Sequence, residues 1–148
     1  MTDQIQVASS EDVDKAVAAA AAAFKTWRAT PSSERAAIML KYADLVEQNT
    51  EKIAQLETTN MGMPIMISRM IVGSHITSFR YYAGLADKVH GETYPEDGDG
   101  QLKMITYEPL GVCAGISAWN GTPMSMGWKV RLPLFLSAPL CFMFSQSR

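Results

Sequence analysis

An excess of charge of either sign is missing from this sequence: 13 Lys and Arg stand against 15 Asp and Glu, a formal net charge of -2. That balance gives no electrostatic basis for nucleic acid or an anionic membrane surface as a partner. Cysteine is scarce. Cys113 and Cys141 are the two among 148 residues. Both sit in apolar surroundings with no CxxC or Cys/His ligand spacing, so neither a disulfide framework nor a zinc set is expected. Histidine is equally scarce, with only His75 and His90, so no metal site is expected; His75, on or beside an apolar helical face, reads as structural. Long hydrophobic runs are absent too, and none reaches the ~18 apolar residues that span a bilayer. The start, Met1-Thr2-Asp3-Gln4, has no basic segment leading into an apolar one, and a secretory signal is not expected. Together these absences point to a reducing compartment, and the cytoplasm is the expected location.

What is present is a globular composition, 47% hydrophobic and 19% charged, in a length that fits one average domain. The first helix is expected to start near Ser9 or Ser10, capped by a serine hydroxyl and favoured by Glu11, Asp12 and Asp14 at the positive end of its dipole. Val13, Val17, Ala20, Phe24 and Trp27 recur at spacings of three and four and so share a face. The run Ala18 to Ala23 suits a helix that packs closely. Thr30-Pro31 restarts the chain, threonine as a cap and proline at the first helical position. The next stripe is Ile38, Tyr42, Leu45 and Val46, continued by Ile53 and Leu56 after a break at Asn49-Thr50. Asn60-Met61-Gly62-Met63-Pro64 ends it. A further helix is predicted from Ile65 to Val89, with Ile67, Ile71, Phe79, Tyr82, Leu85 and Val89 as its apolar face.

The period then changes. Asp97-Gly98-Asp99-Gly100 reads as a turn, and the alternation around Leu102, Met104 and Thr106 predicts a hairpin with the residues after Gly91. Val112 to Ala118 is nearly continuous and apolar, which predicts a parallel strand buried on both faces. Asn120-Gly121 is a turn pair, and Thr122 or Ser125 can cap a short helix carrying Met126, Trp128 and Val130. From Arg131 to Phe144 the chain is apolar but carries Pro133 and Pro139, a spacing that neither a helix nor a central strand tolerates well. The expected class is therefore α/β, with helices over 10–89, a hairpin over 91–108, a first strand and helix over 110–130, and an apolar tail over 131–148.

Tyr107-Glu108-Pro109-Leu110-Gly111-Val112-Cys113, followed by Trp119-Asn120 and Trp128-Lys129, resembles the aldehyde dehydrogenase superfamily. The family pattern there is E-P-x-G-V, a buried strand, W-N, and W-K at the interval kept here from Asn120 to Trp128. Asn60-Met61-Gly62-Met63-Pro64 is similar to its N-G-K-P element. The resemblance covers Ser10 to Val130 and implies the opening part of a doubly wound dinucleotide-binding domain, left incomplete. It departs at Ala118-Trp119-Asn120-Gly121-Thr122-Pro123, where the family has proline before the tryptophan and Phe-Pro after the asparagine. It departs again after Val130, where the chain is expected to diverge from family sequence.

The resemblance implies oxidation of an aldehyde to a carboxylic acid with NAD or NADP. In that chemistry a cysteine thiolate attacks the carbonyl, the oxyanion collapses with hydride transfer to a nicotinamide, and a glutamate-activated water releases the acid. Asn120 matches the family's oxyanion donor, an interaction on the order of 3 kcal/mol in comparable sites. Read alone, Asn120-Gly121 is only a turn, and Asn120-Gly121-Thr122 also spells a glycosylation sequon, which the lack of a signal argues against. Ile116, Ser117, Ala118 and Trp119 match the strand end that lines the cofactor, or else are plain core. Met124 and Trp128 match the substrate tunnel, or else are a buried helix face. Lys129 fits either an exposed helix position or a polar group near the site. Cys113, in mid-strand, is expected to be too buried to act as nucleophile, and Cys141 matches no family motif. The catalytic cysteine, the general-base glutamate, the ribose-binding residues and the dinucleotide loop are expected beyond this chain, which would leave it inactive alone. Two other readings stay open: a non-catalytic partner, pairing through the hairpin with a full-length paralogue or with itself, and an unstable product.

Overall fold

Among the described residues, four helices, a hairpin and a strand–helix–helix–strand unit follow each other along the chain. The computed structural model describes residues 7–135 and 140–144. The order is α1 Ser10–Trp27, α2 Ser32–Gln48, α3 Thr50–Met61, α4 Ile65–Leu85, β1 Glu92–Tyr94, β2 Lys103–Ile105, β3 Cys113–Ser117, α5 Thr122–Lys129, α6 Arg131–Phe135 and β4 Leu140–Phe144. The class is α/β.

α1 begins where its polar residues dictate. Asp12 N–H donates to Ser9 Oγ at 3.3 Å, and Ser9 N–H donates back to Asp12 Oδ2 at 2.9 Å, a reciprocal capping box. No residue of α1 is buried; Phe24 and Trp27 are only half covered. Thr30 does not cap α2. Its hydroxyl donates to Thr26 O, closing α1, and Pro31 occupies the cap position of α2.

α4 is the centre of the packing and touches α2, α3, α5 and α6. The core joins Met39, Ala43 and Val46 of α2, Ala54 of α3, and Val72, Ile76, Phe79 and Ala83 of α4. This corrects the expected stripe. Ile38, Leu45 and Leu56 face solvent, at 43%, 50% and 54% exposure. The buried face is rotated by about one residue, so that small and flexible side chains, alanine and methionine, meet α4. α4 also stops at Leu85 rather than Val89, which is exposed. Arg80 holds Asp44 and Glu47 of α2 at 2.8 and 2.6 Å, and Arg69 pairs with Glu51 of α3 at 2.8 Å.

The predicted hairpin is present, antiparallel, with Glu92 opposite Ile105 and Tyr94 opposite Lys103. β3 and β4 are parallel, joined through α5 and α6, with Cys113 opposite Leu140 and Ser117 opposite Phe144; a parallel pair needs such a helical crossover. β3 is not buried on both faces, as its apolar run predicted. Gly115 and Ser117 are buried, while Ala114 and Ile116 are exposed, Ile116 at 65%. Helices cover one side only. Pro133 is accommodated as the third residue of α6, in the first turn, whose amide hydrogens have no helical acceptor to lose. β4 takes the residues after Pro139. Arg131 reaches back to α4, donating to Ser78 Oγ and lying 4.5 Å from the Tyr82 ring centre. Among the described residues no helix is long and apolar enough to cross a membrane.

Candidate active site

The turn between β3 and α5 carries the residues singled out in the sequence. Ser117 ends the strand fully buried, its hydroxyl donating to Ala118 O at 3.2 Å. Ala118, Trp119 and Asn120 then emerge exposed, Trp119 at 49%. Gly121 reverses the chain at φ +94°, a left-handed conformation that side chains resist, and caps α5. Its carbonyl accepts the first helical bond, from Ser125 N–H at 2.9 Å. Asn120 thus stands at the C-terminal end of a parallel strand, on the turn that opens a helix, where α/β proteins gather their ligands.

Two side chains of α3 lie beneath this turn. Gly121 N–H points at Met61 Sδ, 2.9 Å away. One helical turn earlier, Glu57 is only 5% exposed. Burial raises the pKa of its carboxyl, and the backbone N–H groups of Thr122 and Gly121 partly offset this by favouring the charge. Oε1 itself meets no donor in direct hydrogen-bond geometry. Beside them Thr58 Oγ1 and Ser68 Oγ, 2.8 Å apart, tie α3 to α4.

The other side of α5 rests on His75. That residue is 3% exposed, with Nε2 3.0 Å from Tyr42 Oη and its ring 4.9 Å from Phe79. Burial lowers its pKa, opposed by the Pro123 carbonyl and assisted by the Arg131 charge. Gly127 allows this approach, since a Cβ there would lie 2.8 Å from His75 Nδ1. His75 is therefore a packing residue. Among the described residues no group of three or more His, Cys, Asp or Glu could hold a metal.

The residues predicted from sequence fall in two places. Ile116 and Trp128 line one open cleft of about 370 Å³, with Cys113, Lys129, Leu132 and Pro133 among its other walls. Asn120 is outside it, one turn along at the strand end. Met124 is half-buried and Trp128 is 52% exposed. Of the four strand-end residues, Ser117 cannot present its side chain, which is enclosed. Cys113 is the first residue of β3, not its middle, and is half-buried, its thiol 3.6 Å from Gly111 O. It lies at the opposite end of the strand from Asn120, so position and not burial separates it from the turn. Glu57, Met61 and Gly127 were not found by sequence reasoning. Met61 lay within a recognised motif, but nothing in that motif indicated its contact with Gly121.

A sequence model of the aldehyde dehydrogenase family matches residues 1–138. The chain is 42% identical over 131 residues to a mitochondrial aldehyde dehydrogenase of Mesocricetus auratus, covering 86% of this chain and 26% of that protein. It is 41% identical to retinal dehydrogenase 2 of Homo sapiens over 86% of this chain and 25% of that one. A betaine aldehyde dehydrogenase variant of Staphylococcus aureus, solved in complex with NAD+, superposes with a TM-score of 0.90 at 29% identity, over 95% of this chain and 29% of that chain. The chain spans about a quarter of the length of the curated relatives it matches.

Proposed function

The chain belongs to the aldehyde dehydrogenase family, and from that premise we infer that it serves the oxidation of an aldehyde to a carboxylic acid with NAD(P)+. What supports this is the position of Asn120: exposed, at the C-terminal end of β3, on a glycine-reversed turn that opens α5. Its side-chain NH2 is the donor that steadies the oxyanion formed when a thiolate adds to the carbonyl. Ile116, Ala118 and Trp119 give the cofactor an apolar strand edge, and Met124 and Trp128 flank the aldehyde. The cleft beside β3 is walled by Ala114, Ile116, Trp128 and Pro133, apolar surface suited to a flat ring, with Lys129 as the cation in its lining. When bound, the nicotinamide accepts the electrons that leave the substrate carbon.

The thiolate has to come from elsewhere than Cys113, at the far end of β3, or Cys141, opposite Ala114 in the strand interior. These 148 residues therefore do not turn over aldehyde by themselves. Retinal and betaine aldehyde, in the names of the relatives, share little beyond the carbonyl, so the substrate stays at the level of an aldehyde. Scarce cysteine suits a reducing compartment, and both the cytoplasm and the mitochondrion named for relatives meet that condition.

A chimera tests the inference. Residues 107–130 replace their counterpart in the Mesocricetus auratus enzyme, and turnover is compared with and without Asn120→Ala. The expected loss is about 10²–10³ in kcat, from removing one oxyanion donor. A working chimera indifferent to that substitution would contradict the assignment.

The hairpin favours a second, compatible role. Tyr94, Leu102, Met104 and Tyr107 are 45%, 72%, 55% and 65% exposed, an apolar surface suited to another copy of this chain or to a full-length paralogue. Sedimentation at increasing concentration should show association that weakens in Leu102→Asp/Met104→Asp; a monomer at every concentration, with no binding to a paralogue, would remove this role.

A further inference from the structure

Asn120 stands between two peptide planes. Such a plane is rigid, so whatever holds its N–H or C=O sets the backbone dihedral beside it. On the near side Trp119 O accepts from Thr122 Oγ1 at 3.5 Å. On the far side Gly121 N–H donates to Met61 Sδ at 2.9 Å. That N–H lies in the plane shared by Asn120 and Gly121, so the thioether fixes ψ of Asn120. Gly121 turns the chain at φ +94°, and its carbonyl accepts from Ser125 N–H at 2.9 Å as α5 opens. Of these three contacts only the one from Met61 ties the turn to another element. Met61 is itself held. It is the last residue of α3, which Gly62 ends at φ +72° with its N–H donating to Thr58 O at 2.9 Å. Thr58 Oγ1 and Ser68 Oγ, 2.8 Å apart, fasten that last turn to α4, and Ala54 of the same helix lies in the core. A thioether sulfur is a weak acceptor, but its unbranched, flexible stem adapts to the gap between a helix end and a turn. A partly buried amide left without any acceptor would be destabilising.

We propose that Met61 is a positioning residue for Asn120: from the end of α3 its sulfur accepts the Gly121 N–H and locks the peptide plane from which the asparagine projects. This rests on the reading of Asn120 as the oxyanion donor. Met61 acts through the backbone and not on the substrate. The contact joins residues 60 apart in sequence and makes the orientation of the donor depend on where α3 ends.

The test is hydrogen exchange followed by NMR on the full chain, with no substrate present. The Gly121 N–H should be protected. Met61→Leu, which keeps apolar volume and loses the acceptor, should speed its exchange about fivefold, the effect of one lost hydrogen bond. In that variant the Asn120 side-chain NH2 signals should shift. The Gly62 and Ser125 amides, which keep their backbone acceptors, should stay as protected as in the parent. Met61→Gln, whose side-chain oxygen can accept in place of sulfur, should restore both the Gly121 protection and the Asn120 signals. A methionine that merely packs would leave the Asn120 pair unmoved in Met61→Leu and would gain nothing from the polar replacement. An unprotected Gly121 amide in the parent, or equal exchange in parent and Met61→Leu, overturns the proposal; where the variants do not fold, the parent's Gly121 protection decides. The two readings fail separately. Equal exchange removes the role of Met61 and leaves the donor intact, whereas a chimera indifferent to Asn120→Ala removes the donor and with it the catalytic meaning of the contact.

Discussion

Glu57 shows how much a single side chain can depend on its surroundings. On an isolated helix a glutamate faces water; here it is 5% exposed and its carboxyl is pushed above the ordinary range by burial. A raised folded-state pKa means that the folded chain holds the proton more tightly than the unfolded one. The stability this group contributes is complete below the unfolded pKa and is lost as pH rises through the folded value. Glu57→Gln, neutral throughout, should therefore match the parent in acid and become the more stable of the two as pH rises from the ordinary glutamate range through the elevated one. Thermal melts across that range check this, and parallel curves for the two proteins would contradict it. Asn120 could be singled out because its residue type and its distance from Trp128 form a pattern. Glu57 was not, because nothing local distinguishes a buried glutamate from a solvated one; its neighbours lie more than sixty residues away.

At the scale of elements, α5 packs on α4, where His75 lies beneath it, and its cap residue Gly121 meets Met61 of α3. Gly127 is the point of closest approach, since a Cβ there would stand 2.8 Å from His75 Nδ1, in a ring fixed by Tyr42 and Phe79. Gly127→Ala should cost about 1–3 kcal/mol through overpacking, despite alanine's better helix propensity. The penalty should shrink in a His75→Ala background, as a double-mutant cycle of denaturant midpoints would show; an equal cost in both backgrounds would place the strain elsewhere. The same packing explains which elements the sequence revealed. Helix starts at Ser9 and ends at Asn49 and Gly62 follow local chemistry and were readable. The buried face of α2 was readable at Tyr42 and Val46 but not at Met39 and Ala43, because Ile38 and Leu45 outrank Ala43 in hydrophobicity while a small residue lets α2 approach α4. The strand β3 was found from its apolar run, but a run cannot tell one covered face from two.

At the scale of the whole molecule, among the described residues, helices α2 to α4 form a core, and α5, packed on α4, joins it to a two-stranded parallel sheet with one face open. That face and the turn above it offer an exposed amide side chain, an apolar strand edge and a cleft whose wall includes the half-buried Cys113, at the far end of β3 from Asn120. On the proposed reading this part orients the oxyanion, and bond-making chemistry needs a nucleophile from outside it. The most direct measurement is NADH formation by the purified 148-residue chain with NAD+ and a simple aldehyde. The account predicts no turnover above the uncatalysed background. Sustained NADH production that follows the chain through purification and disappears in Cys113→Ser would contradict it.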